Sequence, residues 1–125
     1  MYFTVRKKRL FENMSRFKQL QEFQKEFSKL VRKYPSLPED LKKLERLITL
    51  HPVGFGTNFA TMHQTPEVKI IKARLACKSL RNRSVRVIYA YHEETITFVH
   101  IEIYFKGNKE NEDRGRVERY LEGLE

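Results

Sequence analysis

From Glu67 to Phe105 the apolar residues of this chain recur at every second position in three successive segments, and no other feature restricts its fold as tightly. In VKIIKARLAC, Ile71, Ala73, Leu75 and Cys77 share one side, while Val68, Ile70, Lys72 and Arg74 share the other. In SVRVIYAYH, Val85, Val87, Tyr89 and Tyr91 oppose Arg86, Ile88, Ala90 and His92. In TITFVHIEIYF, Thr97, Val99, Ile101, Ile103 and Phe105 form the inward set against Phe98, His100, Glu102 and Tyr104, and Lys106 continues that outward row. A period of two is the side-chain period of a strand. The connections, KSLRNR and the pair Glu93 and Glu94, are short enough for an antiparallel meander.

Upstream the period is helical. Phe23, Phe27, Leu30 and Val31 recur at i, i+4, i+7 and i+8 between Gln21 and Lys33, with a basic opposite face. YPSLPED breaks that helix and starts another: Ser36 is the expected N-cap, Glu39 its capping-box partner, and Pro38 is tolerated in the first turn. Leu41, Leu44, Leu47 and Ile48 are the second stripe, so the pair predicts an antiparallel helical hairpin, closed by HPVGFG. Residues 51–66 carry two glycines, two prolines and no period, which predicts a freely variable loop. For an edge strand, Arg16–Leu20 is preferred over Tyr2–Val5 because it leads directly into the first helix. After GNKENED, with Asn111 or Asp113 as N-cap, Val117, Tyr120, Leu121 and Leu124 mark a short C-terminal helix. The expected fold is α+β: an N-terminal helical hairpin on one face of a curved antiparallel sheet of about four strands, the other face incompletely covered. Residues 1–125 are expected to form one domain, with 1–15 as an N-terminal extension.

A single cysteine, Cys77, excludes internal disulfides and multi-cysteine zinc sites, and its place in an apolar alternation predicts a buried thiol. No apolar run reaches the length of a membrane span, and MYFTVRKKRLF is too short and too charged for a secretory signal, so a soluble cytoplasmic protein is expected. The net charge of +9 is uneven: residues 1–33 hold ten Lys/Arg against three Asp/Glu, while residues 109–125 hold four against six. A small domain this basic is drawn to polyanions or to an acidic protein partner.

The strand phases put Lys72, Arg74, Arg86, His100, Glu102, Tyr104 and Lys106 on the open face, with Ile70, Ile88 and Phe98 exposed between them. Arg81 and Arg83 of the basic turn and Lys109 extend the positive surface. Each residue alone is explained by ordinary solvation. The set resembles a groove for a phosphate backbone and stacked bases. His51, His63, His92 and His100 have no metal-ligand spacing, and there is no HExxH helix, GxSxG elbow or P-loop, so neither metal nor cofactor is expected. RNA can be cleaved without metal by attack of its own 2′-OH on the adjacent phosphate. A base removes the hydroxyl proton, cations stabilise the charged transition state, and an acid protonates the leaving oxygen. Lys72, Arg74, Arg86 and Lys106 fit the cationic role, and Glu102 or His100 the base. The alternative is a nucleic-acid or protein surface without chemistry.

FQKEFSKLVRKYPSLPEDLKKLERLI, KARLACKSL, VRVIYAYHEE and IEIYFKGNKENEDR, in that order and spacing over about residues 17–124, resemble the RelE/ParE superfamily of toxins in bacterial toxin–antitoxin pairs. RVIYAY and IYFKGNKENED are similar to the RelE-like branch in particular. The resemblance implies a compact α+β fold and an endoribonuclease, an mRNA interferase that cuts messenger RNA in the ribosomal A site and inhibits translation. It implies a cognate antitoxin, ribosome and mRNA as partners, operator DNA for the toxin–antitoxin complex, and no membrane. Lys72 matches a strand lysine of the family, Arg74 the basic residue two places on, Arg86 the strand arginine, and Lys106 a position where arginine is common. A second strand lysine falls near Ile70, with Lys69 pointing to the opposite face. A terminal histidine and tyrosine pair is missing, Tyr120 lies in an apolar stripe, and Tyr104 is its substitute. A ParE-like inhibitor of DNA gyrase and a non-catalytic binding module on the same scaffold are the rival readings.

Overall fold

The computed structural model of the chain describes residues 16–81 and 83–124. Tyr2–Val5 and the expected 1–15 extension lie outside the described residues. The elements are β1 (Phe17–Gln19), α1 (Gln21–Lys33), α2 (Leu37–Leu50), β2 (Phe59–Gln64), β3 (Val68–Cys77), β4 (Arg83–His92), β5 (Thr97–Phe105) and α3 (Arg114–Glu122). The fold is α+β, as expected, but the sheet has five strands in the order β1-β5-β4-β3-β2. It is mixed: β1 runs parallel to β5 and the remaining pairs are antiparallel.

The helical hairpin packs on one face. Phe23, Leu37, Leu41, Leu44 and Ile48 bury against Ile71, Ala73, Leu75, Cys77, Val85, Val87, Tyr89 and Tyr91, so the predicted inward phase of β3 and β4 is correct. Cys77 is a buried thiol, as its place in the alternation predicts. The capping box does not form. Ser36 Oγ donates to the buried Asp40 carboxylate at 2.7 Å and accepts from the Ser79 amide at 2.9 Å, tying the start of α2 to the turn after β3 instead. The hairpin is also held to the sheet by Glu45, whose Oε2 lies 2.9 Å from His100 Nε2.

Residues 51–66 are not a freely variable loop. Phe59–Gln64 is the edge strand β2, and Tyr89 Oη donates to the Pro52 carbonyl at 2.7 Å. Gly54 has φ +69° and a Cβ there would fall 2.1 Å from the Phe59 ring, so the turn before β2 requires glycine on two counts. Phe59 packs against the core on the helical side and Met62 against the core on the other, so the apolar residues of β2 stand three apart and show no period of two.

On the second face α3 covers half of the sheet. Asp113 caps it, its side chain accepting from the Arg116 amide at 3.0 Å. Val117 packs with Val68, Ile70, Ile88, Ala90, Val99 and Ile101. Arg116 fixes the helix to α1 by a bidentate pair with Glu26, at 2.8 and 2.9 Å, and donates to the Ile101 carbonyl at 2.9 Å. These bonds satisfy the β5 edge beyond the short β1, where Ile103 N–H also donates to Glu26. The other half of the second face, toward the β3–β4 turn, is left polar.

Candidate functional site

The ladders set the polar half out as a small grid. Lys72 on β3 stands opposite Ile88 on β4, which stands opposite Glu102 on β5; one step along, Arg74 faces Arg86 and Arg86 faces Tyr104. Opposed residues in antiparallel strands hold their Cβ atoms ~5 Å apart, so Arg74 and Arg86 are a direct like-charge pair. Arg74 is exposed, whereas Arg86 is only 8% exposed and pairs with no carboxylate among the described residues. Its guanidinium donates to the Ser84 hydroxyl and carbonyl. A nearly buried cation without a counter-charge is costly, and the face expected to be open is largely covered around it: Tyr104 is 5% exposed and Glu102 fully buried.

A carboxylate reaches the neighbouring row from the segment between β5 and α3. Glu112, its side chain 6% exposed, accepts from Lys72 Nζ at 3.0 Å and from Tyr104 Oη in a longer contact of 3.4 Å, with Arg114 Nε at 3.9 Å. Burial opposes its charged form, but its own backbone amide, Lys72 and Arg114 outweigh burial and hold the carboxyl below the usual range. Glu102 is fully buried beside it, one oxygen bonded to Lys109 Nζ and the other to the Asp113 amide at 2.7 Å. In this arrangement Glu102 anchors the segment. Lys109 also lies 5.7 Å from the centre of the Tyr104 ring. Burial first, then the charges of Glu112 and Glu102, push the Tyr104 phenol up to about 12, so it holds its proton at neutral pH.

Several expected members are elsewhere. His100 does not face the cations: it is fully buried on the helical side, stacked on Phe23 and Phe17 at 5.1 and 5.9 Å and bonded to Glu45. Phe98 is likewise buried on that side, stacked on Phe17 and Tyr91. The cause is a β-bulge. The β4–β5 register shifts between Ile88 and Tyr89, leaving Ile101 unpaired, so Ile101 and Glu102 share one face and every residue before them is inverted relative to strict alternation. Val99 and Ile101 therefore face α3 and not the hairpin. Ile70 and Ile88, expected between the cations as a platform for bases, are fully buried beneath α3.

Arg83 alternates to the helical side and lies 5.4 Å over the Phe105 ring, while Arg81 is exposed in the turn with a left-handed backbone, φ 54°. Neither joins the grid. Lys106 is exposed in the turn after β5, beyond the row it was expected to continue, and is unpaired among the described residues. Lys69 does point away from Lys72, and pairs loosely with Glu93 at 4.0 Å.

Two features were missed by sequence. Glu112 lay in a polar stretch treated as a stop, and nothing in KENED distinguishes it from its acidic neighbours. The His92 ring and Tyr120 meet at 2.5 Å between β4 and α3, and only their strand and helix phases, taken together, pointed to it. A groove of about 340 Å³ beside Glu112 is lined by Met62 and His63 of β2 and by Arg114, Val117 and Leu121 of α3. A second, open concavity runs along the solvent side of α1 past Lys25, Ser28, Lys29 and Arg32.

No protein-family model matches this chain and no curated protein is significantly similar to it. No helix among the described residues is long and apolar enough to cross a membrane.

Proposed function

We propose that this chain is the toxin of a toxin–antitoxin pair and acts as a ribosome-dependent mRNA interferase in the cytoplasm. One observation carries the reading: Arg86 is nearly buried, faces Arg74 across the ladder, adjoins Tyr104, and has no carboxylate partner among the described residues. A fold tolerates that expense where an anion is to be bound. A phosphodiester supplies the missing charge, and Arg74 and Arg86 can each offer paired N–H donors to its oxygens.

In the proposed reaction the 2′-hydroxyl passes its proton to solvent water as its oxygen attacks phosphorus, and the bond to the 5′-oxygen breaks, giving a 2′,3′-cyclic phosphate and a free 5′-hydroxyl. Arg74, Arg86 and Lys72 stabilise the charge gathering on the phosphate oxygens. Tyr104 retains its proton at neutral pH and serves as the acid that protonates the leaving oxygen, not as the base. The site is sparse for an unaided nuclease, which is consistent with a substrate aligned by the ribosome. The basic stripe of α1, with Lys25, Lys29 and Arg32, suits an acidic antitoxin.

Incubating the chain with ribosomes paused on a defined message tests this: wild type cuts within the A-site codon and Arg86→Ala does not. A second reading is favoured by the engagement of both nearby carboxylates, Glu102 and Glu112, in ion pairs. It is a face that binds RNA or protein without cutting, and it leaves the message intact in that assay.

A further inference from the structure

Glu112 is held as an anion in a receptor is held. Its carboxylate is withdrawn from solvent, one oxygen takes donors from Lys72 and Tyr104, and the Arg114 guanidinium stands near the other. Lys72 comes from β3, Tyr104 from β5 and Arg114 from the first turn of α3, so three separate elements contribute to it. A carboxylate and a non-bridging pair of phosphate oxygens have similar spacing and charge and recruit the same donors.

We propose that Lys72, Tyr104 and Arg114 form a subsite for an RNA phosphodiester, which the protein's own Glu112 occupies until the substrate displaces it. The inference rests on the RNA-facing reading of this face and adds its regulation. The anchor and the occupant are separate residues. Glu102 holds the segment through Lys109 and the Asp113 amide, so Glu112 can leave without α3 detaching. The adjoining groove, which Glu112 itself lines with His63 and Arg114, receives the displaced side chain. Substrate affinity is reduced by the fraction of molecules in which Glu112 has vacated the subsite.

The test uses the full chain and a short 2′-O-methyl oligoribonucleotide, which cannot attack its own phosphate, with binding followed by fluorescence anisotropy at fixed salt. Glu112→Gln keeps an acceptor for Lys72 but loses the charge, and is expected to bind about tenfold more tightly. Glu110→Gln makes the same charge change on the same segment at an exposed residue, and is expected to alter affinity less than about twofold. With Lys72 already changed to Gln, Glu112→Gln is expected to lose most of its effect, because the two act on one subsite. Unchanged or weaker binding by Glu112→Gln, or an equal gain from Glu110→Gln, overturns the proposal.

Cleavage is scored separately. Tighter binding by Glu112→Gln with no ribosome-dependent cutting by any variant supports the subsite and overturns the interferase; codon-phased cutting with unchanged binding overturns the subsite alone.

Discussion

Lys72 Nζ and Glu112 Oε2 lie 3.0 Å apart although forty residues separate them in sequence, and this contact joins the basic strand β3 to the segment that leads into α3. The same carboxylate borders the Tyr104 hydroxyl, so removing its charge is readable at the phenol. Glu112→Gln is expected to lower the Tyr104 pKa from about 12, because a phenolate is easier to form beside one negative charge fewer. It stays above the ordinary tyrosine value, since burial is the largest cause of the rise. Site-resolved NMR titration of the tyrosine rings checks this, and an unmoved Tyr104 argues that the contact is absent in solution.

The His92 and Tyr120 pair sets an acid limit on the docking of α3. Burial first, and then the Lys18 charge, lower the His92 pKa from 6.5, so the unfolded chain takes up this proton before the folded one does. Stability from this group is complete above about pH 6.5 and falls as the pH drops from there through the lower folded value. Tyr120, pushed up to about 12 by burial, keeps its proton throughout. His92→Gln does not titrate, so its melting temperature is expected to fall less than that of wild type between about pH 7 and 5. Parallel profiles would contradict the assignment.

Glu45 partners a fully buried histidine whose other nitrogen, Nδ1, has no hydrogen-bond partner among the described residues. Glu45→Ala therefore strands a second buried polar atom and is expected to cost about 1–3 kcal/mol in urea unfolding. The double change Glu45→Ala, His100→Phe removes both polar groups and extends the stack on Phe17 and Phe23, recovering most of that loss. His100→Phe alone is expected to keep RNA cleavage, because the ring lies on the helical side of the sheet. Loss of cleavage with an intact fold would return His100 to the site.

These residues also mark how far the sequence was informative. β3 and β4 were legible because their alternation is unbroken from Val68 to Cys77 and from Val85 to Tyr91, and Lys72, Arg74 and Arg86 followed from it. The first half of β5 was assigned to the wrong faces because the bulge at Ile101 has no glycine or proline to announce it, and one extra residue inverts His100 and Phe98 together. Glu102 and Tyr104, beyond the bulge, kept their expected side. Glu112 was illegible for another reason: its role comes from a chain reversal that brings it against Lys72, and local pattern holds no record of that contact.

Arg86 is where the proposed activity is most exposed to test, since it is nearly buried and lacks a carboxylate partner among the described residues. The direct measurement is induction of the chain in cells, with message 5′ ends mapped against codon position for wild type and for Arg86→Ala and Lys72→Ala variants of matched folded level. New 5′ ends in phase with codons, abundant in wild type and reduced by at least about a hundredfold in Arg86→Ala, are the expected result. Growth arrest with intact messages, or cutting that survives Arg86→Ala, would contradict it.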